Sequence, residues 1–423
     1  MNPNNQRKWQ ALGVSTLAFT VNFAVWTLFS IIGIRIKQEL GLNETEFGFL
    51  VAMPILSGSL SRLPLGMLTD RFGGRPVFFL QMLAVVIALV GIQYAHNYTQ
   101  YLIAGFAVGL AGGSFAIGIA YTSAWFDKHQ QGTAMGIFGA GNSGAALTNL
   151  IVPLLMATYG WETVPLIFAG GMLIVAVLFW VMAKNDPQHI DGPQPHTTIR
   201  EQLLPLKEAR VWRISLYYFF TFGGFLALTL WLPKYYVGEF SLDLKTASFL
   251  TLLFTLPTGL VRALGGVLSD IMGARRILWT TFWISLVCLF FLSYPPTTMT
   301  IHGISDVIHI NVELNQWVFT LLILVLGICM GLGNASLLKL IYDYYPHNMG
   351  SVGGLVGVMG GLGGFTLPIL FGLVADLTQI RSSCFMLMYG LLASCMVLLH
   401  FGIRASEYKQ RLRDAYASSF LES

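Results

Sequence analysis

Two arginines occur where an apolar chain has least reason to carry charge. Residues 61–76 read SRLPLGMLTDRFGGRP and residues 261–276 read VRALGGVLSDIMGARR. At one offset of 200 they align Arg62 with Arg262, Gly66 with Gly266, Leu68 with Leu268, Asp70 with Asp270, Gly73 with Gly273 and Arg75 with Arg275. Each arginine precedes its aspartate by eight residues, which on a helix is roughly 12 Å of rise. A guanidinium stays charged at any physiological pH and presents a rigid planar fork of donors, so its chemistry is bidentate recognition of flat oxyanions.

What surrounds these side chains decides what they do. The 423-residue chain is 55% hydrophobic and 10% charged, with mean hydropathy +0.66, whereas a soluble domain carries about 25% charged residues. It reads as a polytopic membrane protein, with twelve apolar runs long enough to cross a hydrocarbon core about 30 Å thick. An arginine at the centre of a membrane helix costs about 2.5–3.5 kcal/mol on insertion scales. None of the twenty Asp and Glu residues falls inside a predicted helix; Glu46, Asp343 and Asp376 come closest, each at a predicted end. The cavity that holds the arginines is therefore expected to be cationic, with an anionic substrate completing the charge balance. The alternative is that backbone carbonyls and water satisfy both.

The elements that position the pair follow from charge and repeat. With the N-terminus inside, sixteen Lys and Arg residues fall on the cytoplasmic side and five on the other, while Arg62, Arg262 and Lys339 remain within the membrane; this excess places both termini in the cytoplasm. The polar stretch from Lys184, rich in Pro and charge, reads as a cytoplasmic linker. The predicted organisation is a six-helix bundle over 1–183, a linker over 184–211, a second bundle over 212–404 and a cytoplasmic tail over 405–423. The first run lacks a small-residue cleavage site and reads as a retained helix. Cys288, Cys329, Cys384 and Cys395 all lie in predicted helices with no CxxC spacing, so they read as packing residues, and no metal or cofactor is expected. Positive charge in such a chain sets topology and does not imply a nucleic-acid partner.

Parallel repeats of six helices are the plan of the major facilitator superfamily, and GMLTDRFGGRP (66–76) resembles its loop motif G-x-L-x-D-R-x-G-x-R. GVLSDIMGARR (266–276) is a degenerate second copy. That resemblance makes Asp70, Arg71, Arg75 and Asp270 a conformational latch, in which acidic and basic groups at helix ends meet the neighbouring bundle while the other face is open. Two glycine-dense segments, GTAMGIFGAGNSGAAL from Gly132 and GSVGGLVGVMGGLGGFTLP from Gly350, fall on the fifth helix of each half and pair Gly136 with Gly354 and Gly139 with Gly357. With Gly141 and Gly360 they read as lanes where backbones approach closely and slide.

Together with the arginines, these lanes resemble the signatures of the nitrate/nitrite porter family over essentially the whole chain. The resemblance implies a twelve-helix, all-α membrane fold of two pseudo-symmetric bundles. It places the substrate clamp on Arg62 and Arg262, the family's asparagine on Asn142 of GNSG, and an aromatic wall on Phe115 of GGSFA and on Tyr218 and Phe222 of YFFTFGGF. Amide and phenol donors suit oxyanion oxygens, and aromatic faces close a flat slot; for Phe115 alone, packing is an equal reading. Lys339, about 6 Å of helix from Asp343, either snorkels to the cytoplasm or serves as gate or relay. The expected function is alternating-access transport of nitrate, and nitrite with it, across the cytoplasmic membrane by a monomer in the lipid bilayer. Exchange is favoured over proton symport because no interior carboxylate offers a relay. A small organic carboxylate as substrate and a non-transporting anion sensor are the alternatives. No nucleophile–base set, Walker motif or metal spacing points to an enzyme, and His302 and His309 read as solvated loop residues.

Overall fold

The computed structural model describes residues 3–126, 128–185, 207–302, 306–345 and 349–421. Twelve described helices are long and apolar enough to span a membrane: α1 Gln6–Leu40, α2 Glu44–Thr69, α3 Gly74–Tyr94, α4 Tyr98–Ser123, α5 Ala134–Tyr159, α6 Val164–Met182, α7 Ala209–Phe240, α8 Leu244–Met272, α9 Ala274–Leu292, α10 Gln316–Ile341, α11 Val352–Thr378 and α12 Ser383–Gly402. Both ends of this even-numbered array lie on one face, the terminal face; the opposite one is the distal face. Most of the predicted linker lies outside the described residues.

The repeat that pairs the arginines also sets where their helices stop. Gly73 and Gly273 follow α2 and α8 with φ of +84° and +87°, a conformation glycine adopts without strain. Each donates its N–H back to the helix, to Thr69 and Ser269. At the distal start, Asn43 and Glu46 form a reciprocal capping box and Asp243 accepts from Thr246 N–H, satisfying orphan donors of the first turn. The Asp243 carboxyl is held below its ordinary range first by hydrogen bonds from Thr246. The full helices, Glu44–Phe72 and Leu244–Met272, are 29 residues each and stop at matched glycines, so Arg62 and Arg262 stand at the same rise along their helices.

Contact between the halves is heaviest where α2 meets α11 and α5 meets α8, with α7 against the distal end of α1 beside them. Small residues permit it. A Cβ on Gly48 would lie 2.5 Å from the Pro368 carbonyl oxygen, and one on Gly364 would lie 2.9 Å from Leu226 and 3.0 Å from Ile55. Three glycines predicted to bring helices together meet no neighbouring helix among the described residues: at Gly136, Gly139 and Gly354 nothing described outside the glycine's own stretch of helix lies within 4 Å of the position a Cβ would take. Gly141 and Gly360 are packed against side chains, Phe19 at the first and Tyr218 with Phe222 at the second.

Between α9 and α10 the expected loop is a β-hairpin, β1 Thr297–His302 paired antiparallel with β2 Val307–Val312 in the register Thr297↔Val312 to His302↔Val307. Its β-branched residues Thr297, Thr298, Thr300, Ile301, Val307, Ile308, Ile310 and Val312 favour extended backbone. His302 and His309 are exposed on it, and His309 Nδ1 lies 3.1 Å from the Thr300 hydroxyl. The four cysteines are buried and free.

Candidate functional site

Arg62 is built into place by an aromatic cradle. Trp26 of α1 donates its indole N–H to the Pro54 carbonyl at 2.7 Å, and it fits between α2 and α4 because Gly58 and Gly112 leave room: a Cβ on either would collide with the indole. The guanidinium carbon of Arg62 then sits 5.5 Å from the Trp26 ring centroid, 5.1 Å from Phe115 and 5.7 Å from Phe222. Each such cation–π contact contributes about 0.5–2 kcal/mol, more where water is excluded. Phe115 is itself tilted against Phe19, which stacks on Phe138. Replacing Gly58 with valine is expected to displace Trp26 and destabilise the protein by about 1–3 kcal/mol, the usual cost of overpacking; a thermal melt in detergent with tryptophan fluorescence checks it.

The second half supplies the ring shared by both cations. α7 contains a π-turn over Phe219–Gly223, the kind of one-residue insertion common where helices serve a site. Tyr218 and Phe222 stack across it with centroids 5.2 Å apart. Gly223 lets α7 lie on Gly360 and Gly363 of α11. Arg262 places its guanidinium carbon 5.3 Å from Phe222. Both cations therefore flank one ring, and their central carbons are at most about 11 Å apart.

Neither arginine has a carboxylate partner among the described residues. Arg62 Nη1 donates to the Gly357 carbonyl at 3.3 Å, so part of the carbonyl alternative holds for one nitrogen. Arg62 Nε and Arg262 Nη2 are buried without an acceptor among the described residues. Asn142 lies in a 3₁₀ turn of α5, Ala140–Ser143, where its amide donates to the Gly139 carbonyl at 2.6 Å. That turn packs on α8 one helical turn from Arg262, with Ser143 N 3.4 Å from a Cβ on Gly259. The structure thus brings Arg62, Arg262, Phe115, Tyr218, Phe222 and the Asn142 turn around one interface between the halves.

The motif residues on the terminal face behave differently from the expected cross-bundle latch. Arg75 donates to the Trp180 carbonyl at 2.7 Å and stacks over its ring at 4.3 Å, both in its own half. Arg71 lies over Phe72, and the Asp70 side chain is outside the described set. Asp270 pairs with Lys339 at 3.0 Å, and Asp343 lies 3.4 Å from the same ammonium. Lys339 is thus held at the terminal face by two carboxylates of its own half, Asp343 one turn further along its own chain just past α10 and Asp270 across on α8.

A cluster on the distal face was not foreseen. Asp376 at the end of α11 accepts from the N–H groups of Glu44 and Thr45 at 3.1 and 2.8 Å and from the Thr45 hydroxyl at 2.5 Å, closing over the first turn of α2. Glu44 pairs with Lys37 of its own half at 2.5 Å and with Lys234 of the other. Lys234 also lies 4.2 Å from the Trp231 ring centroid and 4.9 Å from Phe47. Trp26 in the cradle and this clasp are the functional residues missed; the one sequence signal for the clasp is Lys234, a cation between Pro233 and two tyrosines at the end of an apolar helix.

The chain belongs to the major facilitator superfamily and, within it, to the nitrate/nitrite porter family: residues 14–306 and 235–421 match the Major Facilitator Superfamily profile. It is 40% identical over 406 residues to a probable nitrate/nitrite antiporter, NarK1, of Thermus thermophilus, covering 92% of this chain and 90% of the relative. It is 30% identical to the nitrite extrusion protein of Bacillus subtilis, over 87% of each chain. Among solved structures, a bacterial homologue of the human lysosomal transporter Spinster, in an inward-facing and occupied conformation, superposes with a TM-score of 0.69 over 93% of this chain and 96% of that one, at 14% identity.

Proposed function

We propose that the protein exchanges nitrate and nitrite across the cytoplasmic membrane by alternating access, as a monomer with both termini in the cytoplasm and with bundles over 1–183 and 212–404. The observation that carries this reading is the pair of guanidinium groups flanking Phe222 with no carboxylate partner among the described residues. A flat anion of small volume matches two planar forks and an aromatic slot. The relatives named for nitrate and nitrite support the substrate, and the words antiporter and extrusion in their names support exchange.

The distal clasp gives the cycle its closed side. Asp376 and Lys234 belong to one half and the α2 start to the other, which holds the distal face shut, while the terminal ends of α5 and α11, at Gly136, Gly139 and Gly354, meet no neighbouring helix among the described residues. An anion reaching the arginines from the cytoplasm offsets two like charges and lets the halves approach. Empty, the same charges oppose that approach. This asymmetry makes the loaded carrier the one that crosses, which is exchange. Proteoliposomes loaded with nitrite are expected to take up external nitrate about tenfold faster than empty ones, with an imposed pH gradient adding less than about twofold. Uptake that follows the pH gradient and ignores internal nitrite would establish proton coupling instead.

A further inference from the structure

The buried amide of Asn334 on α10 is unexplained by packing. Asn334 is fully buried, and neither its Nδ2 nor its Oδ1 has a hydrogen-bond partner among the described residues. Burying both ends of an amide without a protein partner costs free energy that an apolar residue would not. The neighbouring α7 and α8 carry two more orphans, Thr221 Oγ1 and Arg262 Nη2.

Contacts along α10 fix where that amide points. Met330 reaches α7, its methyl 3.2 Å from a Cβ on Gly224, while Gly331 seats on α8, where a Cβ would lie 2.6 Å from the Thr258 carbonyl oxygen. Asn334 follows these by four and three residues, so it lies on the same face one turn nearer the terminal side. It therefore enters the seam between α7 and α8. One turn beyond Thr258 on the parallel helix α8 is Arg262, and Gly265 next along meets Ala335. On α7 the level is that of Thr221, whose methyl is 3.1 Å from a Cβ on the adjacent Gly333. The seam at this level is where Phe222 meets Arg262.

We propose that Asn334 is a third polar contact of the anion site and a determinant of which oxyanion it prefers. In the anion-bound state its carbonyl oxygen accepts from Arg262 Nη2, which has no acceptor among the described residues here, fixing that fork, and its amide N–H donates to an oxygen of the anion. Two forks and one amide offer donors to three oxygens, so the contact favours nitrate over nitrite. The inference rests on the nitrate reading of the arginine pair and deepens it.

Proteoliposome counterflow with nitrate and with nitrite, on the parent, N334L and N334S, tests it. Both variants are expected to raise the nitrate KM on the order of tenfold, the worth of one hydrogen bond to a charged group, with kcat nearly unchanged and the nitrite KM raised less than about threefold. N334L, which removes an unpaired polar group at nearly constant shape, is expected to melt no lower than the parent. Asn334→Asp, which sets a fixed carboxylate beside Arg262, is expected to abolish nitrate uptake. A parent that transports nitrate, with N334S or N334L within about twofold of its nitrate KM, overturns the inference alone; should N334L fail to fold, N334S decides. A parent indifferent to nitrate overturns the functional reading and this inference with it.

Discussion

Lysine in place of Arg62, or of Arg262, is expected to lower kcat/KM for nitrate about a hundredfold or more, equivalent to roughly 2.7 kcal/mol or more of lost stabilisation. The charge survives the substitution, so the loss measures geometry. An ammonium is a point donor on a flexible stem; it cannot present two parallel N–H groups to a flat anion. At position 62 it would also have to lie among Trp26, Phe115 and Phe222 while reaching Gly357, a site shaped for a plate. The double variant is expected to lose no more than about tenfold beyond either single, because groups acting on one ligand are not additive. Counterflow in proteoliposomes, with nitrate-induced thermal stabilisation as an independent measure of binding, checks both. Near-parent transport by the two single variants would remove the clamp as the basis of the mechanism.

The arginine pair was legible because a buried charge without a partner is conspicuous, and the 200-residue repeat fixes its depth twice over. The same repeat explains Gly73 and Gly273, whose positive φ is the reason a matched glycine closes each copy. What periodicity could not reach is contact between residues far apart in sequence. Trp26 is tied to α2 through a carbonyl, Pro54, which no residue type advertises, and Asp376 caps a helix that starts 332 residues earlier. Lys339 was read against Asp343, four residues away, and its shorter partner Asp270 lies on another helix.

The glycine lanes fail in a more instructive way. Spacing marks Gly136, Gly139 and Gly354 as places where backbones approach closely, yet they border open space here while Gly48, Gly361 and Gly372 carry the tight contacts between α2 and α11. A transporter has more than one packing, and its sequence encodes contacts for each. One structure holds only some of them. On the exchange cycle proposed above, the glycines with room at the terminal ends are covered when that side closes, and the glycines now in contact part when the distal side opens. Composition registers both sets alike because it carries no information on which state is populated.

That partition makes the distal clasp the second place where a small change has a large effect. Asp376→Asn is expected to shift the equilibrium towards the distal-open state by about 10- to 100-fold, the factor corresponding to roughly 1.5–3 kcal/mol for hydrogen bonds that involve a charged group. Three donors converge on that carboxylate, two of them N–H groups of the first turn of α2, where the helix dipole adds to the attraction for negative charge. The asparagine keeps the shape and one acceptor oxygen but loses the charge. When the halves part, Glu44 retains Lys37 within its own half, so that carboxylate stays paired and, of the clasp's polar contacts, opening breaks those made by Lys234 and Asp376. Ile55 reports the motion: it is fully buried on α2 and packs at Gly364 of α11, and the native cysteines are buried. In an Ile55→Cys background, a membrane-impermeant maleimide added to the distal side is expected to label the Asp376→Asn protein about 10- to 100-fold faster than its parent. Equal rates would mean that the clasp is a surface ion network with no hold on the conformational equilibrium, and that the glycine contacts below it keep the distal side shut unaided.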